Sequence, residues 1–227
     1  MRHLLMPTLL LAALFAPAAL YSDEKKDDKK PTVPEGYTPL FNGKDLDGWT
    51  VTKGAKKELW GADKDKGIIF VNGGGGGWLM TEKEYSDFEI HVEFKIPEKG
   101  NSGVALRAPL EGDPAYKGME IQILDDAWHK ANLQGLKPTQ LTGSIYGVVP
   151  PSKDATKPVG EWNTMDITAK GPKITVKLNG TTIVDANLED HKDQSKEHPG
   201  LLRTKGHLGL QSHSERVEFR NIYVKEL

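Results

Sequence analysis

The sequence predicts an all-β protein in which two antiparallel sheets pack face to face as a sandwich. Short β-type runs recur along the chain and are separated by turn residues. Helical patterns are scarce, and 24 glycines in 227 residues are typical of a chain with many turns. A chain of this length is enough for one sandwich-sized domain, so a second domain is not required.

The predicted strands begin after residue 66 and continue to the end of the chain. They are GIIFV, DFEIHVEFKIP, SGVALRAP, MEIQILDD, SIYGVVPP, WNTMDITAK, KITVKLNGTTIVDANL, GHLGLQSH and RVEFRNIYVKEL. Asn179 and Gly180 lie between two alternating runs and predict a tight type I′ hairpin. Residues 127–134 are predicted to form one or two helical turns, and residues 188–199 to form a polar loop.

The first residues, MRHLLMPTLLLAALFAPAALYS, have the order of a secretory signal. A basic start precedes an apolar run from Leu4 to Phe15 and the small-residue pattern of residues 16–18. We expect residues 1–18 to be a signal peptide, which implies export to the periplasm or the cell exterior and no membrane segment after cleavage. An uncleaved anchor is the alternative. The charged residues 19–35 predict a disordered linker, and residues 36–227 a single domain.

Composition excludes several other classes of function. The balance of 30 basic and 32 acidic residues gives no electrostatic reason to expect a nucleic-acid partner. Cysteine is absent, so disulfides and cysteine-based zinc sites cannot form. The glycine run at residues 73–77 lacks the lysine and hydroxyl residue of a phosphate loop, and we predict a flexible or tightly turned loop there.

The stretch GMEIQILDD shows how polar residues are distributed along the strands. Alternation places Met119, Ile121 and Ile123 on one face and Glu120 and Gln122 on the other. The same pattern in HVEFKI, SGVALRAP and HLGLQSH extends the polar set. Its members are Glu93, Arg107, Glu120, Gln122, Gln211 and His213.

Two interpretations of this polar set stay open. An antiparallel sheet ordinarily has one solvated face, and these residues fit such a face. However, the set contains Gln, His, Arg and Glu rather than lysine, and small residues beside it leave room for a polar ligand. Tyr146 and Trp128 lie near predicted loops or strand starts, where a ring can either stack on a sugar or fill the core.

The spacing of carboxylates bears on ordinary glycoside hydrolysis. Retaining β-sandwich glycosidases carry two carboxylates at alternate positions of one strand, about 5 Å apart. Here the corresponding series is Glu120, Gln122 and Leu124, which supplies only one carboxylate. Two-carboxylate hydrolysis therefore requires a second acid, such as Asp125, Asp126 or Glu93, to approach Glu120 from elsewhere.

A set of ordered motifs resembles one known family over nearly the whole chain after the linker. The motifs are LFNGKDLDGW, GGGGGWLMTEKEYSDFEIHVEFKIP, GNSGVALRAP, MEIQILDD, TGSIYGVVPP, GEWN, LNG and GHLGLQSHSERVEFRNIYVKEL. Together they resemble the 3-keto-disaccharide hydrolase domain family, which includes proteins similar to 3-keto-glucoside lyases and hydratases. The resemblance implies a concanavalin- or laminarinase-like jelly roll and an exported enzyme that acts on glycosides already oxidised at sugar carbon 3.

That chemistry needs no nucleophilic carboxylate. A ketone at carbon 3 acidifies the proton on carbon 2, and its removal gives an enolate that expels the aglycone from carbon 1. Hydration of the new double bond completes a net hydrolysis. Such a site needs a base, an enolate stabiliser and an acid for the leaving oxygen.

The resemblance suggests roles for the polar residues. Glu120 or His213 is the candidate base, Arg107 the enolate stabiliser, and Glu93 a candidate acid. The candidate substrate-binding residues are Asn101, Ser102, Gln122, Gln211, Tyr146 and Trp128. A divalent metal bound by Glu120 and His213 could replace much of the role of Arg107, and no organic cofactor is expected.

Two other functions fit the same residues: a non-catalytic carbohydrate-binding jelly roll and an ordinary glycoside hydrolase. A binding platform needs aromatic and amide side chains, whereas a buried glutamate near Arg and His is typical of an acid–base site. The sequence does not indicate an oligomeric state.

Overall fold

The computed structural model describes residues 33–75 and 77–227. The predicted signal peptide and the linker up to residue 32 lie outside the described residues. Within the described ranges, no helix combines the length and apolar character needed to span a membrane.

The strands follow one another along the described chain with little helix between them. They are β1 Thr38–Pro39, β2 Trp49–Val51, β3 Trp60–Asp63, β4 Ile68–Val71, β5 Trp78–Tyr85, β6 Phe88–Lys95, β7 Asn101–Ala108, β8 Met119–Leu124, β9 Asn163–Lys170, β10 Lys173–Leu178, β11 Thr181–Asn187, β12 Gly206–Gln211 and β13 Val217–Glu226. The α-helices are α1 Pro114–Lys117 and α2 Asp126–Asn132, and 3-10 turns cover Lys57–Leu59, Pro138–Gln140 and Leu188–Lys196.

The strands form two antiparallel sheets, which confirms the predicted all-β sandwich. The large sheet has eight strands in the order β11-β10-β9-β6-β13-β4-β3, with β1 paired to β13. The small sheet has five strands in the order β2-β5-β12-β7-β8. Sequentially distant strands are neighbours in both sheets, as in a jelly roll.

The core lies between the sheets and follows from the alternation of apolar residues. In β6, Phe88, Ile90, Val92 and Phe94 are buried, and the residues between them are partly exposed. The inward residues of β7 and β8 meet this layer from the other side. Each fully buried side chain of this size contributes roughly 1.5–3 kcal/mol, so the apolar face fixes the register of each strand.

Local predictions have mixed outcomes. Asn179 and Gly180 have φ of 49° and 77°, which confirms the type I′ hairpin between β10 and β11. Helix α2 confirms the predicted helical turns. The predicted strand in SIYGVVPP is wrong, because Ile145 forms only isolated bridges there. The predicted polar loop at 188–199 instead contains the 3-10 turns of Leu188–Lys196.

A β-bulge in β7 interrupts the alternation of the small sheet. His207 pairs with Ala108 and Gly209 pairs with Ala105, so β7 has one more residue than β12 between these pairs. Arg107 lies in the bulge and has a positive φ of 51°. The extra residue of a bulge breaks the regular pleat, so alternation along β7 does not predict the direction of the Arg107 side chain.

Candidate active site

A cavity of about 570 Å³, the Glu120 pocket, lies over the face of the small sheet that points away from the core. Strands β5, β7, β8 and β12 contribute to its floor, and α1 and the loops at residues 52–55, 75 and 77, 146 and 212–213 form its walls. Its polar and aromatic lining includes Trp78, Asn101, Asp113, Tyr116, Glu120, Gln122, Tyr146, Gln211, Ser212 and His213. A pocket of this size is in the range of small-molecule sites.

The pleat of β8 directs Glu120 into this pocket. Ile121 belongs to the core layer, so its neighbour Glu120 projects from the opposite face together with Gln122. Across the ladder, Glu120 pairs with Ala105 and Gln122 pairs with Gly103. A Cβ at position 103 would overlap Glu120 Oε1, so glycine there provides the space that the carboxyl group occupies.

The environment of Glu120 is unusual for an acidic side chain. Glu120 is 3% exposed, and its Oε1 atom has no hydrogen-bond partner among the described residues. Burial raises the pKa of Glu120 well above its ordinary value, and the nearby charge of Asp113 raises it further. A carboxyl group of this kind is typical of acid–base sites.

Two other buried polar atoms in the pocket share this lack of partners. They are Gln211 Oε1 and Ser212 Oγ, neither of which forms a hydrogen bond among the described residues. Buried polar atoms in proteins are nearly always satisfied. Three unsatisfied atoms in one pocket therefore indicate a place where a polar ligand or water makes the missing hydrogen bonds.

The glycine run forms part of the pocket wall beside His213. Gly75 and Gly77 line the pocket, and Gly77 O accepts a hydrogen bond of 2.8 Å from Ser212 N. A Cβ at Gly73 would overlap Ser214 O, so glycine allows the two loops to approach each other. His213 is exposed at the pocket rim just after β12 ends, with Nδ1 2.9 Å from Ser214 Oγ.

Helix α1 and its N-cap bring Asp113 and Tyr116 to the pocket, and the polar alternation did not reveal either residue. Asp113 caps the helix by accepting a 3.1 Å hydrogen bond from Ala115 N, and Pro114 occupies its first turn. Tyr116 then projects beside Tyr146, with ring centroids 6.3 Å apart and rings perpendicular. Burial raises the pKa of Tyr116, with a contribution from Tyr146. The Asp-Pro pair in EGDPAYKG is a helix-start signal that could have placed this helix.

The structure brings six of the predicted site residues into the Glu120 pocket. They are Asn101, Glu120, Gln122, Tyr146, Gln211 and His213. Tyr146 is held against the floor, because its backbone N–H donates a 2.9 Å hydrogen bond to Glu120 O. Its hydroxyl accepts a 3.0 Å hydrogen bond from Gln140.

Arg107 does not reach the pocket, which corrects the face predicted for it. Its guanidinium group is buried and donates hydrogen bonds of 2.8 Å to Ser86 O and Gly171 O and of 3.0 Å to Asp87 Oδ1. It also donates to Arg203 O at 3.3 Å. Because these groups belong to loops at the edge of the sheets, Arg107 ties loops together, and we assign it no role on an enolate.

Glu93 lies on the large sheet, away from the pocket. It accepts hydrogen bonds of 2.7 Å from Arg220 Nε and 2.8 Å from Asn221 Nδ2. The alternation of β6 is as predicted, but it places the partly buried Glu93 on the outer face of the other sheet. The prediction that Glu93 shares a surface with Glu120 is therefore wrong.

Ser102 and Trp128 also lie outside the pocket lining. Ser102 is fully buried, and its hydroxyl donates a 2.9 Å hydrogen bond to Gln211 O. Trp128 lies on α2, where its ring contacts His129 edge-on and Lys99 Nζ sits 5.5 Å from its centroid. Both residues therefore have structural contacts, and we assign neither to substrate.

The second carboxylate of the pocket is Asp113 rather than the acids that the sequence suggested. Asp125 accepts hydrogen bonds from Trp128 N at 3.1 Å and Lys99 N at 2.9 Å. Asp126 accepts from Thr142 N at 3.0 Å. Neither lines the Glu120 pocket.

The described side chains do not form a complete metal site. Among residues 33–75 and 77–227, no group of three or more His, Cys, Asp or Glu side chains is placed to bind an ion. Glu120 and His213 both line the pocket, but two donors are fewer than protein metal sites ordinarily use. We therefore derive no step through a metal.

The two antiparallel sheets and the Glu120 pocket on one outer face define a jelly-roll β-sandwich with a candidate ligand site. The particular family follows from the sequence: the model of the 3-keto-alpha-glucoside-1,2-lyase-like domain matches residues 36–225, and the chain belongs to this family. This finding confirms the resemblance seen in the motifs.

Similar proteins agree with this assignment. A Bacteroides thetaiotaomicron protein named 3-keto-disaccharide hydrolase is 27% identical over 235 residues, covering 87% of this chain and 80% of that protein. The crystal structure of a candidate glycosyl hydrolase from Parabacteroides distasonis is 32% identical, with a TM-score of 0.75, over 85% of this chain and 94% of that one. A carbohydrate-binding module from Bacillus subtilis, 15% identical with a TM-score of 0.53 over 78% of this chain and 95% of that one, shares the fold.

Proposed function

We propose that this protein is an exported enzyme that cleaves 3-keto-glycosides by elimination and hydration. Membership of the family and the name of the Bacteroides relative support a hydrolase-type enzyme with a sugar substrate. The observation that carries the proposal is the buried, unpaired carboxyl group of Glu120 in a polar pocket.

The reaction needs one base and proceeds in two stages. The base removes the carbon 2 proton, and the electron pair of that C–H bond becomes the enolate of the carbon 3 ketone. The enolate then re-forms the ketone and a C1–C2 double bond as the C1–O bond breaks, and the leaving oxygen takes a proton. Addition of water, with OH to carbon 1 and H to carbon 2, gives the free 3-keto sugar.

Glu120 is the candidate base. Its raised pKa makes the ionised carboxylate a stronger proton acceptor than an ordinary glutamate, and no hydrogen bond among the described residues engages Oε1. Gly103 leaves the carboxyl group room over the sheet. His213 at the rim is the alternative base, although its exposure makes it less able to act on a buried proton.

Neutral donors take the role that Arg107 cannot fill. The amides of Asn101, Gln122 and Gln211 line the pocket and can hold the enolate oxygen and sugar hydroxyls. Tyr116 is the candidate acid for the leaving oxygen, because it lines the pocket and a phenol is protonated at neutral pH.

Ordinary glycoside hydrolysis is the second candidate, and Asp113 favours it. Asp113 places a second carboxylate in the same pocket as Glu120, although one of its oxygens caps α1. Glu120 as the acid and Asp113 as the nucleophile or base would match the two carboxyl roles of such an enzyme. Direct displacement at carbon 1 would then leave the carbon 2 proton in place.

Incubation of the purified protein with 3-keto-trehalose and with trehalose in D₂O tests both candidates. The elimination mechanism predicts release of 3-keto-glucose with deuterium at carbon 2, from the oxidised sugar only. Free 3-keto-glucose in the same buffer controls for spontaneous exchange. Cleavage of plain trehalose would favour the two-carboxylate mechanism, and turnover of neither sugar would contradict the proposed function and favour a binding module.

The same assay tests a divalent metal as cofactor. We propose that a divalent ion would bind only together with the substrate, held by Glu120, His213 and oxygen atoms of the keto sugar, because the two side chains alone offer too few donors. EDTA should then reduce turnover, and added Mg²⁺, Ca²⁺ or Mn²⁺ should restore it. Full activity after EDTA treatment would contradict this part of the proposal.

Export is proposed from the apolar run between Leu4 and Phe15. Expression of the full chain in a bacterial host should give a periplasmic or secreted protein whose N-terminus, measured by mass spectrometry, lies near residue 19. A cytoplasmic protein that retains residues 1–18 would contradict it.

A further inference from the structure

We propose that a second cavity beside the Glu120 pocket binds the sugar that leaves with the C1 oxygen. This inference rests on the proposed function, because it assigns the second half of a disaccharide substrate. The cavity, the His198 pocket, has a volume of about 410 Å³. It shares Tyr116 and Tyr146 with the Glu120 pocket.

The His198 pocket is built from segments far apart in sequence. Its walls come from residues 137–140, residues 146–147, residues 194–198 and Tyr116. Gly147 N donates a 2.9 Å hydrogen bond to Thr139 O, which joins two of these segments. The site is therefore part of the folded framework rather than one exposed loop.

A buried imidazole supports one aromatic wall of this pocket. His198 is 7% exposed and stacks on Tyr116, with centroids 5.2 Å apart and an interplanar angle of 20°. A Cβ at Gly147 would lie 2.5 Å from His198 Nε2, so glycine leaves the space that the imidazole fills. The stack fixes the plane of Tyr116, which is itself 39% exposed and offers a flat surface to a sugar ring.

The boundary between the pockets lies where the bond would break. Tyr146 N donates to Glu120 O, so this boundary residue is fixed directly beside the candidate base. In the proposed reaction the base faces carbon 2, and the leaving oxygen is attached to the adjacent carbon 1. A keto sugar over Glu120 therefore directs its partner sugar toward a cavity immediately next to the Glu120 pocket.

The lining of the His198 pocket fits a neutral sugar rather than an apolar aglycone. Thr139, Gln194 and Glu197 bring hydroxyl, amide and carboxylate groups, and Lys137 brings an ammonium group. No hydrogen bond among the described residues uses the side-chain atoms of Gln194 or Glu197. Gln140 is already fixed, because it accepts from Lys137 N and donates to Tyr146 Oη.

Filling the pocket is the first test. In the full-length protein, Gln194→Trp should place an indole in the cavity and lower the ratio of kcat/KM for 3-keto-trehalose to kcat/KM for methyl 3-keto-α-glucoside by about tenfold or more. Lys192→Trp, at an exposed position of the same 3-10 segment, is the matched control and should keep the wild-type ratio. An unchanged ratio in Gln194→Trp, with the protein folded by circular dichroism, would overturn the inference.

A milder variant covers the case in which the indole prevents folding. Gln194→Leu keeps the approximate size and removes the amide, and should lower the same ratio by about three- to tenfold, as expected for one lost hydrogen bond. A wild-type ratio in Gln194→Leu would contradict both the proposed hydrogen bond from the Gln194 amide and the proposed sugar subsite.

A binding experiment separates failure of this inference from failure of the proposed function. Titration calorimetry on the Glu120→Gln background measures affinity for the two keto sugars without turnover. The inference predicts tighter binding of the disaccharide, and loss of that preference when Gln194→Trp is added. Equal affinities on the Glu120→Gln background would overturn it even if the wild-type enzyme were active.

Discussion

The outer faces of the two sheets surround their glutamates with opposite hydrogen-bonding environments. On the large sheet, Glu93 is satisfied by Arg220 and Asn221. On the small sheet, Glu120 is buried, and its Oε1 atom has no partner among the described residues. Both residues alternate with core residues in their strands. The difference shows that alternation identifies the outward face of a strand, whereas the neighbouring elements decide whether that face becomes a hydrogen-bonded surface or a pocket with unsatisfied polar atoms.

Turnover should separate the two glutamates most strongly. Glu120→Gln should lower kcat/KM for a 3-keto-disaccharide by about 10²–10⁴-fold, because an amide cannot accept the carbon 2 proton. Glu93→Gln, the matched change on the other sheet, should stay within about twofold of wild type, since Glu93 lies outside the pocket and contacts Arg220 and Asn221 instead. Initial rates by mass spectrometry measure both. Retained activity in Glu120→Gln would remove it as the base.

Two glycine substitutions compare the effect of an added methyl group beside Glu120 with its effect on the large sheet. Gly103→Ala should displace the carboxyl group of Glu120 and reduce kcat/KM by about 10- to 100-fold. Gly61→Ala is the control, because its Cβ would overlap the ring of Phe70 on the outer face of the large sheet. That variant should lower the melting temperature while leaving kcat/KM close to wild type. Equal losses of activity in both variants would indicate a general effect on folding.

The stability that Glu120 contributes should fall as pH rises. The folded state binds the Glu120 proton more tightly than the unfolded chain, so this stabilisation is complete below the ordinary carboxyl pKa and is lost as pH rises through the raised pKa. Glu120→Gln should therefore be about 1–3 kcal/mol more stable than wild type at pH 8, and no more stable near pH 4.

Urea unfolding at the two pH values measures this difference. Glu93→Gln should be less stable than wild type at pH 8 by up to about 1 kcal/mol, because it loses charge-assisted hydrogen bonds. A Glu120→Gln variant that is destabilised at pH 8 would show that the carboxylate has partners that the structure lacks.

Two serines on β7 and after β12 give the smallest expected effects. Ser102→Ala should cost about 1 kcal/mol of stability without changing KM, because its hydroxyl is bonded to Gln211 O and lies outside the pocket. Ser212→Ala should leave stability nearly unchanged and raise KM about two- to fivefold, because its unpaired hydroxyl lines the pocket. Urea unfolding measures the stability of both variants, and steady-state kinetics measure their KM. A higher KM in Ser102→Ala together with a loss of stability in Ser212→Ala would contradict the assignment.

The sandwich, its core layers and the hairpin could be predicted from the sequence, because burial on one face of a strand imposes a period of two. The positions of Glu120, Gln122 and Gln211 followed from the same period. Arg107 did not, because a bulge is one extra residue whose presence depends on the partner strand. Ser102 could have been placed correctly, since alternation puts it on the core side with Val104.

Other parts of the site depend on which elements meet in space. The period of β6 is right, yet only the strand order reveals that Glu93 and Glu120 belong to different sheets. Tyr116 lies on a four-residue helix whose N-cap is Asp113. The Asp-Pro pair marks where this helix begins, but no periodic pattern reports that it packs against β7 and β8.

The space above Gly103 offers a way to sort relatives of this chain. The carboxyl group of Glu120 occupies the volume that a side chain at position 103 would fill. If the reaction needs this arrangement, substitutions at positions 103 and 120 should occur together in relatives. A relative with glutamate at position 120 and a residue larger than glycine at position 103 would keep the fold and lose this chemistry. An absent side chain would then be as diagnostic of activity as the acid itself.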